Sequence, residues 1–191
     1  MRIFLAGASG VIGMRLVPLL VSGGHSVCGM TRSQAKASGL RELGAEPVVC
    51  DVYDADELVR VVVDFGPDLV MHQLTDLPDR ADQIPEFMES NSRMRTEGTR
   101  NLLAAAHAAG ARRLIAQSIA WTPPGAGESV AEHERLVLEF GGVVLRYGVF
   151  YGPGTYGGER VPDPPRIHVD EAARRTVELL DAPSGVVEVV E

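Results

Sequence analysis

Three glycines, Gly7, Gly10 and Gly13, stand three residues apart immediately after an apolar run, Ile3 to Ala6. They open a segment with apolar residues at helical spacing, Ile12, Leu16, Leu19 and Leu20. A loop of this kind, Gly7-Ala8-Ser9-Gly10-Val11-Ile12-Gly13, suits a pyrophosphate. One glycine makes the tight turn, a second lets backbone approach the phosphates, and a third lets the helix pack closely on the sheet. The helix N-terminus then offers unpaired N–H groups and a favourable dipole. This context predicts dinucleotide binding.

The next apolar run, Ser26 to Met30, ends in Thr31-Arg32-Ser33. A carboxylate at that place holds the ribose 2′-hydroxyl of NAD, whereas an arginine accommodates the 2′-phosphate of NADP. There is no acid here. Arg32 can grip a phosphate bidentately, Ser33 can add a hydrogen bond, and Lys36 one turn later can add charge. The expectation is NADP(H) in preference to NAD(H).

The elements that must position these residues alternate between short apolar runs and helical periodicity. Strands are expected at Ile3–Ala6, Ser26–Met30, Pro47–Cys50, Asp68–His72, Arg113–Gln117, Val143–Tyr147 and Val186–Val190. Helices are expected at about Val11–Val21 (with Pro18 predicting a kink), Ser33–Leu43, Asp54–Asp64, Glu86–Ala109 and Asp170–Leu180. Ser129 and Glu132 have capping-box spacing and should start a further helix. Loops are expected at Asp76–Pro85, Trp121–Gly127 and Gly152–Pro165. Such alternation requires right-handed crossovers, hence an α/β fold of the Rossmann type. It would be a doubly wound parallel sheet of about seven strands in three layers, α/β/α.

The 191 residues fit one domain, 1–191. A hydrophobic share of 45% with 5% aromatic suits an aliphatic core. With 18 basic and 26 acidic residues the net charge is −8, and no basic cluster speaks for nucleic acid as a partner. No apolar run approaches the roughly 20 residues of a membrane span. A strand at the very start leaves no room for a signal peptide, so a cytoplasmic protein is expected. Cys28 and Cys50 read as small buried hydrophobes. His25, His72, His107, His133 and His168 show no metal-ligand spacing, and Ser118 is not in a nucleophile elbow.

Longer stretches carry a resemblance. They are Ala6-Gly7-x-x-Gly10-x-x-Gly13, Cys50-Asp51-Val52, His72-Gln73-Leu74-Thr75, Glu97-Gly98-Thr99-Arg100-Asn101-Leu102-Leu103 and Gln117-Ser118. The run from Leu145 to Gly154 and His168-Val169-Asp170-Glu171-Ala172-Ala173 complete them. Together they resemble the short-chain dehydrogenase/reductase superfamily, in its extended and atypical NAD-dependent epimerase/dehydratase branch. The resemblance implies that Asp51 bonds the adenine amino group, with Val52 beside it. It implies that Gln73, Leu74 and Thr75 line the ribose and phosphates, that Gln117 borders the cofactor, and that Gly98 permits close helix packing. Ser118 would hold the place of a substrate-positioning hydroxyl, and the substrate would be a small molecule.

The resemblance breaks at the catalytic pair. The family uses Tyr-x-x-x-Lys, in which the ammonium lowers the phenol's pKa. Lys36 is the only lysine in this chain. If Glu134 matches the family's later glutamate, the pair falls on Ala126 and Val130. Two replacements are open: Tyr147, following Arg146 on a strand, and His133, on a helix face with Leu136, Val137 and Phe140. Their plainer readings are a half-buried strand tyrosine and a core-edge histidine, and Glu132-His133-Glu134-Arg135 reads mostly as solvated helix. The family's substrate-binding portion is reduced to about 152–166, with Trp121 and Phe150 as candidate apolar wall. Leu102, Ala105, Ala106, Leu136 and Phe140 could pair two copies as a homodimer. Three functions follow: an NADP-dependent oxidoreductase or epimerase/dehydratase with a non-standard proton donor, a non-catalytic dinucleotide-binding regulator or partner subunit, or a non-redox cyclase or isomerase.

Overall fold

In the computed structural model, which describes residues 1–78, 80–121 and 125–191, the chain alternates strand and helix from its first residues. Strands β1 (Arg2–Ala6), β2 (Ser26–Thr31), β3 (Glu46–Val49), β4 (Leu69–His72), β5 (Arg113–Ile119) and β6 (Val143–Tyr147) are joined through helices. These are α1 (Gly13–Ser22), α2 (Gln34–Glu42), α3 (Ala55–Phe65), α4 (Met88–Arg93), α5 (Thr99–Ala108) and α6 (Gly127–Glu139). Two short strands, β7 (Val149–Tyr151) and β8 (Arg166–His168), then α7 (Val169–Glu178) and β9 (Gly185–Val189) follow.

The main sheet has the order β3-β2-β1-β4-β5-β6-β9, every neighbouring pair parallel. It is the expected doubly wound Rossmann-type sheet. Both faces are covered, so strand residues of either parity are buried. Ile3, Leu5 and Leu145 pack under α1 and α7 with Leu16, Leu20 and Ala172. Phe4, Val70 and Val144 pack under α3, α5 and α6 with Leu58, Leu102 and Val137. Strand order reverses at β1, which pairs with both β2 and β4, and that is where open α/β sheets bind ligands.

Local differences from the sequence expectations have physical reasons. Helix α1 runs through Pro18, which is exposed, so the carbonyl it leaves unpaired can meet water. The single long helix expected over Glu86–Ala109 is instead a 3₁₀ segment (Ala81–Phe87), α4, a π-helical turn (Met94–Gly98) and α5. That wide turn keeps Asn91, Met94, Gly98, Thr99 and Leu102 buried together. A Cβ on Gly98 would stand 2.9 Å from Met94 Sδ and 3.4 Å from Val52 Cγ1, the close packing the resemblance implied. The capping box at Ser129 is not formed. Helix α6 starts two residues earlier, and Ser129 Oγ donates to the Ala126 carbonyl and to Ser92 Oγ.

The β7–β8 pair, in register Val149↔Arg166, was not foreseen. Asp79 and Thr122–Pro124, in two of the expected loops, lie outside the described residues. The residues expected to pair two copies are partly inside this one: Leu102, Ala105 and Ala106 are fully buried and Phe140 packs on the same cluster. Among the described residues no helix is long and apolar enough to cross a membrane. Cys28 and Cys50 are buried free thiols, their pKa values pushed by that burial up to about 12 and about 11.

Candidate functional site

The glycine loop lies at the reversal point. Gly7 has φ +91°, and a Cβ there would stand 2.5 Å from the Gln73 carbonyl oxygen, so β1 leaves the sheet in contact with the end of β4. A Cβ on Gly13 would be 2.2 Å from the Gly7 carbonyl oxygen, so α1 begins directly on the turn. Gly10 is the least crowded of the three, yet a Cβ there would still stand 3.3 Å from the Gly7 carbonyl oxygen, a tight contact with backbone. The loop is pinned by Ala8 N–H donating to the Met30 carbonyl at 3.2 Å. A second tie is Ser9 Oγ to Thr31 Oγ1 at 2.8 Å. Thr31, which sequence reasoning passed over, is buried and also accepts from the Ser33 N–H at 3.1 Å. This cradle, with no side chain where a phosphate would approach and helix N–H groups at its rim, fits a dinucleotide's pyrophosphate.

Beyond the tip of β2, Arg32 is exposed and Lys36 is exposed on the first turn of α2. Arg32 is already engaged: its Nη2 donates to Asp76 Oδ1 at 2.9 Å. Asp51 Oδ1 accepts from the Tyr53 N–H at 3.0 Å, and the Val52 carbonyl accepts from Asn101 Nδ2 at 3.0 Å. The Arg93 guanidinium lies 4.0 Å over the Tyr53 ring. Arg32, Asp51 and Tyr53 thus gather at the far end of the crevice from α6.

On the β4 side the Gln73 N–H donates to the Ala6 carbonyl at 2.8 Å. The Gln73 side chain is buried beside the Tyr147 phenol, yet neither its Nε2 nor its Oε1 has a hydrogen-bond partner among the described residues. An orphaned amide at a strand-order reversal is a group a polar ligand or water would satisfy. Thr75 is exposed at the crevice and Leu74 is half-buried. Gln117 does not point outward; its Nε2 donates to the Leu74 carbonyl at 2.9 Å.

Behind that contact runs a hydrogen-bonded ring. Leu74 N–H donates to His72 Nδ1 at 3.3 Å, and His72 Nε2 reaches Thr99 Oγ1 at 3.1 Å. Thr99 Oγ1 reaches His133 Nδ1 at 2.7 Å, and His133 Nε2 reaches the Gln117 carbonyl at 2.9 Å. Because that carbonyl can only accept, His133 Nε2 carries hydrogen. Thr99 then donates to His133 Nδ1 and accepts from His72 Nε2–H, and every donor is used with both imidazoles neutral. Burial holds both pKa values below their ordinary range. The expectation of a proton-exchanging His133 is therefore corrected to its plainer reading, a histidine hydrogen-bonded inside the core. Its ring is 2% exposed and both nitrogens are committed.

Tyr147 needs the same correction. Its side chain faces α7, its hydroxyl lies 2.6 Å from Thr176 Oγ1, and Thr176 in turn donates to the Ala172 carbonyl. Full burial pushes the phenol up to about 12. Phe150, a candidate wall, packs against that ring at 5.2 Å between centroids, and Trp121 is exposed.

Ser118 does sit at a built polar cluster, which sequence reasoning missed because it read Glu134 as solvated surface. Ser118 and Arg146 are register partners on β5 and β6, so both face α6. Ser118 Oγ donates to Glu134 Oε1 at 2.6 Å, and Arg146 grips the same carboxylate through Nε at 2.9 Å and Nη2 at 2.6 Å. Burial would raise the Glu134 pKa, but these donors outweigh it and hold the carboxyl below its usual range. Glu132 and Arg135 do face outward, as a 2.8 Å surface pair. The positions matching the family's pair, Ala126 and Val130, are the residue before α6 and one turn into it, joined by a 3.1 Å backbone bond.

The loop 152–166 is tied to neighbouring elements on both sides. Arg15 on α1 donates to the Pro153 carbonyl at 2.5 Å and pairs with Asp170. The Tyr156 hydroxyl donates to the Pro78 carbonyl, joining this loop to the one after β4.

The family model described as NAD dependent epimerase/dehydratase family matches residues 3–137. Among curated proteins, the 3-diazoavenalumate denitrifying reductase of a Streptomyces species is 41% identical over 180 residues, covering 81% of this chain and 58% of the relative. The UDP-glucose 4-epimerase of Mycolicibacterium smegmatis is 31% identical over 134 residues, covering 65% of this chain and 42% of the relative. The chain thus spans little more than half the length of the first of these. Among solved structures, Thermus thermophilus UDP-glucose 4-epimerase in complex with NAD aligns with all of this chain and 78% of its own, at TM-score 0.82 and 20% identity. Bordetella bronchiseptica WbmH in complex with NAD+ aligns with all of this chain and 75% of its own, at TM-score 0.76 and 19% identity.

Proposed function

The chain belongs to the NAD-dependent epimerase/dehydratase family, and on that premise we propose that it is a dinucleotide-dependent reductase whose acceptor takes hydride without needing a proton. The observation that carries this reading is the state of the acid/base groups. The only lysine is Lys36, on the adenine side, and Tyr147 and His133 are turned into the two cores. Ketone reduction leaves an alkoxide that a general acid must protonate. A diazonium carbon behaves differently: the new C–H bond forms, the C–N electron pair leaves with dinitrogen, and the +1 charge disappears. No proton enters that balance. The relationship to a protein named as a denitrifying reductase of a diazo compound supports this acceptor class.

Bound at the glycine loop, dihydronicotinamide would supply the hydride. The loop glycines would hold the pyrophosphate, with Asp51, Val52, Leu74 and Thr75 around the adenosine and ribose and Gln73 offering its free amide. Arg32, Ser33 and Lys36 support use of the 2′-phosphorylated cofactor. Ser118 gives its one hydroxyl hydrogen to Glu134, so toward a substrate it presents only lone pairs. It can accept from, or lie against, an electron-poor group, and it cannot donate to a carbonyl oxygen.

The test is isotopic. With cofactor deuterated at C4 and an arenediazonium salt, the product should carry one deuterium from the cofactor and none from deuterated solvent, above the protein-free rate. Carbonyl reduction with solvent proton uptake, and no reaction with the diazonium, would overturn it. Tight dinucleotide binding with neither reaction would select the second reading, a dinucleotide-binding regulator, which the inward-turned phenol and imidazoles equally favour.

A further inference from the structure

The adenine end of the crevice holds an ion pair that the glycine-loop reading does not use. Arg32 Nη2 stands 2.9 Å from Asp76 Oδ1, with the arginine side chain 48% exposed and the aspartate 19%. Asp76 is not a free loop residue. Its N–H donates at 3.0 Å to Oδ1 of Asn91, which is buried in α4. Tyr53 lies within electrostatic reach of both Asp76 and Arg32, and its hydroxyl is buried with no hydrogen-bond partner among the described residues. Arg93, over the Tyr53 ring, is itself paired with Glu97 at 2.6 Å. Among the described residues, Asp76 is therefore the carboxylate paired with the arginine best placed to meet a 2′-phosphate.

We propose that Asp76 sets the cofactor preference of this site by holding Arg32 in an ion pair, which rests on the dinucleotide-binding reading above. A 2′-phosphate must draw the guanidinium off Asp76 and then sit close to that carboxylate, a like-charge approach in partly screened surroundings. A ribose 2′-hydroxyl meets neither obstacle. The wild-type protein then uses NADH and NADPH within a few-fold of each other, although the tip of β2 carries arginine and no acid.

Calorimetric titration with 2′,5′-ADP and 5′-ADP, alongside NADPH and NADH, tests this without turnover. Asp76→Asn keeps the backbone bond to Asn91 and should tighten 2′,5′-ADP and NADPH about tenfold, the gain shrinking as salt rises. Binding of 5′-ADP and NADH should stay within about twofold, the range expected without a like-charge term. Arg32→Ala should weaken 2′,5′-ADP and NADPH relative to 5′-ADP and NADH. In Arg32→Ala/Asp76→Asn the asparagine should then bring a clearly smaller gain, because only the like-charge approach is left to relieve, which separates this pair from a general effect of net charge. Equal tightening of all four ligands, or a gain undiminished without Arg32, would overturn the proposal. Failure of wild type to bind any of the four would overturn the dinucleotide reading itself, a different result. Thermal denaturation of each variant checks that the fold is retained.

Discussion

The two ends of the crevice treat their polar groups in opposite ways. At the β1–α1–β2 end the backbone is kept bare of side chains: Gly7 and Gly13 occupy positions no side chain could share, Gly10 has little room for one, and Arg32 and Lys36 reach solvent. At the β5–α6–β6 end the groups that could move protons are folded away, His133 into a ring with His72 and Thr99, Glu134 under Arg146, Tyr147 against Thr176. The first end is built to receive a charged ligand. The second ties its titratable side chains into hydrogen bonds within the fold. Binding and proton transfer are therefore separable properties of this fold, and each prediction below asks whether the two ends can be told apart by what breaks them.

The largest effect is expected at the binding end. In Gly13→Ala the new methyl would overlap the Gly7 and Ala8 carbonyl groups, which are backbone and cannot swing aside. Helix α1 would have to lift from the loop, costing about 3 kcal/mol. Urea denaturation should show that loss, and dinucleotide affinity should fall by more than about tenfold. Retained affinity in a folded variant would mean that the cradle is not where the pyrophosphate lies.

The next effect belongs to the buried histidines. Both bind protons less readily in the folded protein than at their ordinary pKa of 6.5. As pH falls through 6.5 the unfolded chain takes up protons that the folded chain refuses, so stability is full above that pH and is lost below it. The slope approaches about 1.4 kcal/mol per pH unit for each histidine, until the folded rings themselves protonate. Between pH 7 and 5.5 the denaturation midpoint should fall steadily, and His133→Asn should flatten that fall. An unchanged midpoint across that range would show that the rings are not neutral in the fold.

The same contrast explains what could be read from the sequence. The close approach at Gly98 was implied by the family resemblance, whereas the alternation of strand and helix and the glycine cradle depend on residues near in sequence and on periodicity. The fate of Glu134 does not. Whether a glutamate beside His133 is solvated or buried depends on which helix face meets β5 and β6, and on Ser118 and Arg146 arriving in register from strands that are not local to it. Asp76 is subtler still, since it lies 44 residues from Arg32 on a loop whose course is set by Asn91. Tyr147 was misplaced because strand parity fixes only a face. The partner that closes that face, Thr176, comes from α7 near the end of the chain.

Tyr147→Phe gives the smallest expected effect and the sharpest division between the two ends. The phenol donates to Thr176 Oγ1, whose own hydrogen goes to the Ala172 carbonyl, so the variant loses one buried hydrogen bond. Thr176 keeps its backbone bond, and the cost should be about 1 kcal/mol. Because the hydroxyl is buried with its pKa raised to about 12, it is poorly placed to exchange a proton near neutrality, and turnover should be unchanged. Dinucleotide affinity should also hold, since the hydrogen bond that is lost lies between this phenol and α7. If instead kcat fell tenfold or more while stability stayed within about 1 kcal/mol, Tyr147 would be reaching the substrate. The inward-turned end would then still carry acid chemistry, and the proton-free acceptor would lose its main support.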